Sequence, residues 1–124
     1  MVELVETYEK YLFDYKEAYF LSLEAIENGL MKKHDLMFED LNEVNILKKF
    51  KDSKDASKLK PGYVPAYNYF LVEDNKLLGV VNIRTSLTER LLQYGGHIGY
   101  GINPKYWRRG YGTKLLELAL IKAK

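Results

Sequence analysis

Two apolar segments joined by a short polar turn place the strongest constraint on the fold of this chain. The stretch "AYNYFLVE" (66–73) is rich in aromatic and branched residues, "DNK" (74–76) is typical of a turn, and "LLGVVNIR" (77–84) is apolar again. This pattern predicts a β-hairpin. A third extended stretch, "GGHIGYGIN" (95–103), ends at Pro104, because proline lacks the amide hydrogen that strand pairing needs. The second half of the chain therefore predicts an antiparallel meander.

Three helices are predicted around this meander. Residues 8–26 place aromatic and apolar side chains at steps of three and four, which is typical of a helix with one buried face. A second helix is predicted from 39 to 51. A third begins at Gly110 or Tyr111 and carries a broad apolar stripe that includes Leu120.

The remaining segments complete a single small domain. Residues 2–5 alternate in polarity and predict a short first strand, whereas the polar segment 51–62 predicts an exposed loop. Residues 85–94 predict a bridge with one or two helical turns. The order of elements predicts an α/β (α+β) domain over residues 1–124, with a mixed, mostly antiparallel sheet and helices before and after it.

Composition and charge exclude several classes of protein. The net charge of +2 is too small to indicate nucleic acid, and the chain has no cysteine for a disulfide or a metal site. His34 and His97 are too far apart in sequence to show metal-ligand spacing. No segment resembles a signal peptide or is long enough to span a bilayer. These features predict a cytoplasmic protein without a metal, a nucleic-acid partner or a membrane partner.

The segment "NPKYWRRGYGTKLLELAL" (103–120) has the features of a phosphate-binding site. The first N–H groups of a helix lack partners within it, and the helix dipole makes that end positive. Glycines leave the backbone accessible there, while arginines and a hydroxyl can contact an anion. The predicted phosphate-binding segment, the phosphate loop, comprises Arg108, Arg109, Gly110, Tyr111, Gly112 and Thr113.

Two familiar phosphate-binding motifs do not fit this segment. The Walker motif requires Gly-Lys-Ser/Thr, whereas here Gly112 is followed by Thr113 and then Lys114. The dinucleotide motif requires a third glycine, where this chain has Leu115. Both motifs also belong to parallel sheets, which the meander argues against.

The arrangement resembles the GNAT acetyltransferase superfamily, whose motif Arg/Gln-x-x-Gly-x-Gly/Ala follows the fourth strand and opens the third helix. The stretch "WRRGYGTKLLELAL" supplies Gly110 and Gly112 at that spacing, and Trp107 stands where the motif usually has Arg or Gln. Residues 77–120 are similar to a bacterial branch of predicted acetyltransferases with an "INIR…L…GGHIGY" pattern.

The resemblance implies acetyl-CoA as cosubstrate and direct transfer of its acetyl group to a primary amine. It implies that the pantetheine arm pairs with the fourth strand, lined by Tyr100, Gly101 and Ile102, and that the diphosphate binds the amides of residues 108–113. A backbone N–H on that strand would polarise the thioester carbonyl. A carboxylate or a water chain would take the amine proton, and a tyrosine of a later helix would protonate the thiolate.

The catalytic residues stay unassigned at this stage. His97 is a candidate proton carrier, since its ordinary pKa of about 6.5 suits that role, although a lone histidine on a strand is more often structural. The acceptor is expected to be a small-molecule or peptide amine.

The resemblance also implies a fifth strand, a fourth helix and a hairpin beyond Lys124. This chain is therefore expected to be the N-terminal and central portion of such a domain. An unpaired edge on strand 95–103 predicts a homodimer, formed through that edge or by exchange of elements. An alternative function is a non-catalytic CoA-binding or dimerisation module. A nucleic-acid binder that uses residues 105–109 is a third alternative, although this basic patch is short.

Overall fold

Four strands and three longer helices form the part of the chain that the computed structural model describes, which is residues 2–39, 43–53, 66–84 and 98–123. In chain order they are β1 (Glu3–Val5), α1 (Leu12–Glu27), α2 (Glu43–Ser53), β2 (Ala66–Glu73), β3 (Lys76–Arg84), β4 (Ile98–Ile102) and α3 (Tyr111–Ala123). Short 3-10 helices span Glu9–Tyr11, Lys33–Asp35 and Pro104–Tyr106.

The strands form one antiparallel sheet in the order β1-β2-β3-β4. The turn between β2 and β3 has two central residues, Asp74 and Asn75, with φ of 52° and 63°. Aspartate and asparagine tolerate this left-handed conformation better than most residues, and a turn of this type matches the twist of a hairpin. The predicted hairpin, and the meander that it begins, are therefore confirmed.

Each face of the sheet supports its own apolar core, because neighbouring residues of a strand point to opposite faces. Phe70 and Val80 pack on the face covered by α1 and α2, whereas Leu71 and Val81 pack on the face covered by α3. The mixed α/β architecture predicted from the sequence is confirmed, with helices on both faces of an antiparallel sheet.

Aromatic side chains fill the core under α1. The ring of Tyr15 is buried and stacks on Phe70 with 5.7 Å between ring centroids, and Phe50 meets Phe70 edge-on. The Tyr15 hydroxyl accepts a hydrogen bond of 3.0 Å from the Glu39 N–H. Burial raises the pKa of Tyr15 to about 12; the hydrogen bond from the Glu39 N–H opposes this rise, and the charge of Glu39 adds to it.

Two predicted details differ from the structure. Residue 39, where the second helix was predicted to begin, is not helical, and the helix is described over Glu43–Ser53; the buried stripe of α3 is narrower than expected. Leu115 and Ala119 are buried, but Leu120 remains 47% exposed, because only one side of this helix faces the sheet. Residues 85–94 and most of the predicted loop 51–62 lie outside the described residues.

We expect the buried Tyr15 hydroxyl to make the protein lose stability between about pH 10 and pH 12. Since the folded state keeps the proton that the unfolded chain loses in this window, the free energy of unfolding falls by up to about 1.4 kcal/mol per pH unit from this group alone. Below pH 10 both states are protonated and the group adds no pH dependence. Urea unfolding of wild type and Tyr15→Phe at pH 8, 10 and 11 measures the effect, and the variant should show a shallower decline. Parallel pH profiles would contradict the assignment.

Candidate functional site

Asn103 fixes the point at which β4 ends and the predicted phosphate loop begins. This side chain is almost fully buried, at 1% exposure. Its amide donates to Leu77 O at 3.0 Å, while its Oδ1 accepts from the Lys105 N–H at 3.1 Å. Its backbone N–H donates to Leu78 O at 2.8 Å. The sequence marked Asn103 only as the end of a strand, but this one residue binds β3 to the loop.

The loop that follows turns the chain sharply before α3. Trp107 donates its indole N–H to Ile102 O at 3.0 Å, so the ring is held against the end of β4. Arg108 and Gly110 then both adopt positive φ, 65° and 80°. Glycine suits such a position, whereas an arginine there is strained.

The start of α3 presents unpaired backbone donors. The N–H of Lys114 is the first to bond back along this helix, to Gly110 O at 3.3 Å. The N–H groups of the preceding turn therefore have no partner within the helix. A Cβ built on Gly112 would lie 3.9 Å from side-chain atoms of Tyr100 and Ile102, which is ordinary contact without a clash, so this turn lies beside β4. Three basic residues of this segment are exposed: Arg108, Arg109 and Lys114.

The register of β4 decides which backbone groups face a ligand. The bond from Asn103 N–H to Leu78 O marks a hydrogen-bonded pair, and such pairs alternate along an antiparallel ladder. Gly99 and Gly101 therefore direct their backbone groups toward β3. The groups that point away from β3 belong to Ile98, Tyr100 and Ile102. Since Trp107 already binds Ile102 O, Ile98 and Tyr100 are the two of these three residues whose outward backbone groups have no partner among the described residues.

A groove with a volume of about 500 Å³ runs along this edge of β4. Residues of β4 line one side, and residues of the segment 31–38 line the other, including His34 and Met37. The imidazole of His34 lies 3.4 Å from the Asp35 carboxylate, and both side chains are exposed. Trp107 lines the end of the groove nearest to the phosphate loop.

The glycines of β4 allow the 31–38 segment to approach the strand. A Cβ on Gly101 would lie 2.9 Å from Met37 Cβ, which is closer than side-chain atoms normally come. The sequence did not predict this second side of the groove. Met37 lies more than 60 residues from β4 in the chain, and no local pattern marks the contact.

The structure brings the predicted cofactor residues of β4 and of the loop into one region. Tyr100 is 43% exposed, and its Cε2 lies next to the position that a Cβ on Gly112 would occupy. Arg109 lies over the ring of Tyr106 at 5.8 Å. The catalytic candidate His97 lies outside the described residues.

The described ranges contain neither a cluster of metal ligands nor a membrane-spanning helix. No group of three or more histidine, cysteine, aspartate or glutamate side chains in these ranges is arranged to hold a metal ion. Among the helices that the structure describes, none is long and apolar enough to cross a membrane.

Comparison with known proteins identifies the family. The family model described as "Acetyltransferase (GNAT) family" matches residues 34–124. The chain therefore belongs to the GNAT acetyltransferase family, whose general activity is acyl transfer from acetyl-CoA. The comparisons with curated proteins and with solved structures gave no match. The resemblance seen in residues 77–120 is thus confirmed at the level of the family, while the bacterial branch and the expected truncation stay predictions.

We expect Arg108→Gly to raise the free energy of unfolding relative to Arg109→Gly. Both variants remove one exposed positive charge and add one flexible glycine, but only Arg108 has a left-handed backbone. Relief of that strain should separate the two variants by about 1–2 kcal/mol. Thermal or urea unfolding of the pair measures the difference, and equal stabilities would show that the loop is not strained at Arg108.

Proposed function

We propose that this chain transfers the acetyl group of acetyl-CoA to a primary amine. The observation that carries the proposal is the proximity of two features: N–H groups without a partner inside the helix at the start of α3, and the groove along β4, which Trp107 lines just before the loop. In this arrangement the diphosphate binds at residues 108–113, and the pantetheine arm follows β4 toward Ile98.

The residues of the loop fit a diphosphate in both charge and shape. Arg108, Arg109 and Lys114 are exposed at the positive end of the helix dipole, where they attract an anion. Gly112 leaves the amides accessible because no side chain covers them. Gly110 has a different role, since its φ of 80° permits the turn into the helix.

The outward backbone groups of β4 fit an extended amide-containing arm. Tyr100 offers an N–H and a carbonyl to such an arm, much as a neighbouring strand would pair with it. Because the Trp107 indole already donates to the Ile102 carbonyl, the arm would pair with the backbone groups of Tyr100 instead of those of Ile102. The Ile98 N–H is then the donor placed to polarise the thioester carbonyl.

In the proposed reaction acetyl-CoA supplies the activated acyl group. The amine nitrogen forms a bond to the acyl carbon, the carbon–sulfur bond breaks, and the sulfur leaves with the electron pair. The nitrogen gives up one proton and the thiolate takes up one, so the products are the amide and free CoA thiol. The strand holds the acyl group in place and supplies the backbone N–H, while the cavity described below receives the amine. A pairing of β4 with a second copy, as the sequence predicts, would use the same outward groups and would exclude the arm.

We expect Gly112→Val to weaken CoA binding at least tenfold while leaving the unfolding midpoint nearly unchanged. The new side chain covers the amides, yet its Cβ has room and valine is a better helix former than glycine. Isothermal titration with CoA, paired with thermal unfolding, measures both quantities. Gly112→Ala adds one carbon at the same place and should show a smaller loss. Full affinity in the valine variant would remove the diphosphate from this turn.

We expect the wild-type chain to release CoA thiol from acetyl-CoA faster in the presence of primary amines than in buffer alone. The assay uses a thiol reagent and a panel of aliphatic, aromatic and peptide amines, with Gly112→Val as the matched control. Thiol release that no amine increases, together with normal CoA binding, would instead favour the non-catalytic CoA-binding module.

A further inference from the structure

A second cavity lies on the α1 and α2 side of the sheet and meets the groove beside β4. It has a volume of about 360 Å³, and Met37, Ile98 and Gly99 line both spaces. A molecule in this cavity and an arm in the groove therefore share a boundary at the N-terminal end of β4. That end is where the proposed function places the acyl group.

Two asparagines on neighbouring strands lie in register with Gly99 at this end of β4. Asn68 on β2 pairs with Asn82 on β3, and Asn82 pairs with Gly99 on β4. Gly99 and Asn82 form a hydrogen-bonded pair in the ladder, for which Cα atoms lie about 5.5 Å apart. Since Gly99 has no side chain, the residue that β3 places directly opposite it on that face is Asn82, whose amide is polar.

A chain of hydrogen bonds fixes the orientation of the Asn82 amide. The Ser53 hydroxyl lies within donor distance of two main-chain carbonyls, Phe50 O at 3.0 Å and Ala66 O at 3.1 Å. Because its single proton goes to a carbonyl, the Ser53 oxygen is left as an acceptor.

The acceptor at Ser53 determines how the side-chain amides of Asn68 and Asn82 are oriented. Asn68 Nδ2 donates to Ser53 Oγ at 3.0 Å, so Asn68 Oδ1 faces β3. Asn82 Nδ2 donates to that oxygen at 3.1 Å. The consequence is that Asn82 Oδ1 makes no hydrogen bond within the described residues and is left as an acceptor in the cavity.

The charges of the cavity favour a small amine that carries no charged group besides the amine itself. Among the described residues that line it, the charged ones are Glu39 and Lys49, which pair with each other, so this part of the lining carries no net charge. A carbonyl-type oxygen held in place selects a ligand that donates an N–H.

We propose that Asn82 is a positioning residue for the acceptor, with Oδ1 accepting a hydrogen bond from the N–H of a small primary amine whose remainder is uncharged. The inference rests on the proposed function, because it assigns the amine to the second cavity. Ser53 and Asn68 contribute by holding the amide in the orientation that presents oxygen rather than N–H.

The experiment follows the side-chain amide signals of the protein by ¹H–¹⁵N NMR during titration with n-propylamine at neutral pH. The Asn82 signal is assigned by its loss in Asn82→Asp. We expect a saturable shift of this signal with n-propylamine and none with tetramethylammonium, which has the same charge but no N–H. The titrations are run with and without CoA. No shift in either condition, or equal shifts with the two cations, would overturn the proposal.

Two variants test the orientation mechanism. Ser53→Ala removes the acceptor that fixes the two amides and should weaken n-propylamine binding at least threefold, whereas Ser53→Thr keeps the hydroxyl and should bind as wild type does. Equal binding by both variants would show that Ser53 does not orient Asn82. CoA affinity, measured on the same samples, should stay unchanged. Failure of the wild type to bind CoA would count against the proposed function. The Asn82 signal reports amine binding whether or not CoA binds.

Discussion

The buried amide of Asn103 determines how the two halves of the proposed cofactor site are placed relative to each other. Its side chain joins Leu77 on β3 to the N–H of Lys105 in the loop, and its own N–H extends the ladder by one bond. A buried polar group with its hydrogen bonds satisfied holds one geometry, because any displacement leaves donors and acceptors unpaired. The edge of β4 and the start of α3 therefore keep a fixed relation.

Close packing around the glycines makes this arrangement possible. A Cβ on Gly79 would lie 2.7 Å from the carbonyl oxygen of Gly101, so β3 and β4 approach only because no side chain is present. The same reasoning applies on the opposite face, where Met37 covers Gly101. Glycine thus serves three separate needs in this chain: close approach in the sheet, a left-handed turn at Gly110, and a first helical turn without a side chain at Gly112.

The two proposed substrates would occupy neighbouring spaces that meet beside β4. The cofactor would approach from the loop and lie along the edge of β4, while the amine would enter from the side of α1 and α2. The two spaces meet at Met37, Ile98 and Gly99. Reaction at such a boundary excludes the rest of the cofactor from the amine cavity, and the specificity for the acceptor then depends on side chains of β2, β3 and α2.

The hairpin, the order of the elements, the start of α3 and the basic glycine-containing loop were all predictable from the sequence. Each is recorded in residues close together in the chain: alternation over 66–84, a proline after a strand, and glycines beside arginines at 108–112. The exact extent of burial was less predictable, as Leu120 shows, because periodicity identifies an apolar face but not how much of it a neighbour covers.

Only the tertiary structure decided which distant residues complete the site. The contact of Met37 with β4 and the chain of hydrogen bonds from Ser53 to Asn82 join residues of separate elements. Their meeting depends on strand register and on how α2 and the 31–38 segment pack against the sheet. The sequence near a residue does not indicate which distant residue will contact it after folding. The amino-acid order therefore determined the elements and the phosphate loop, whereas packing determined the groove, its second side and the orientation of Asn82.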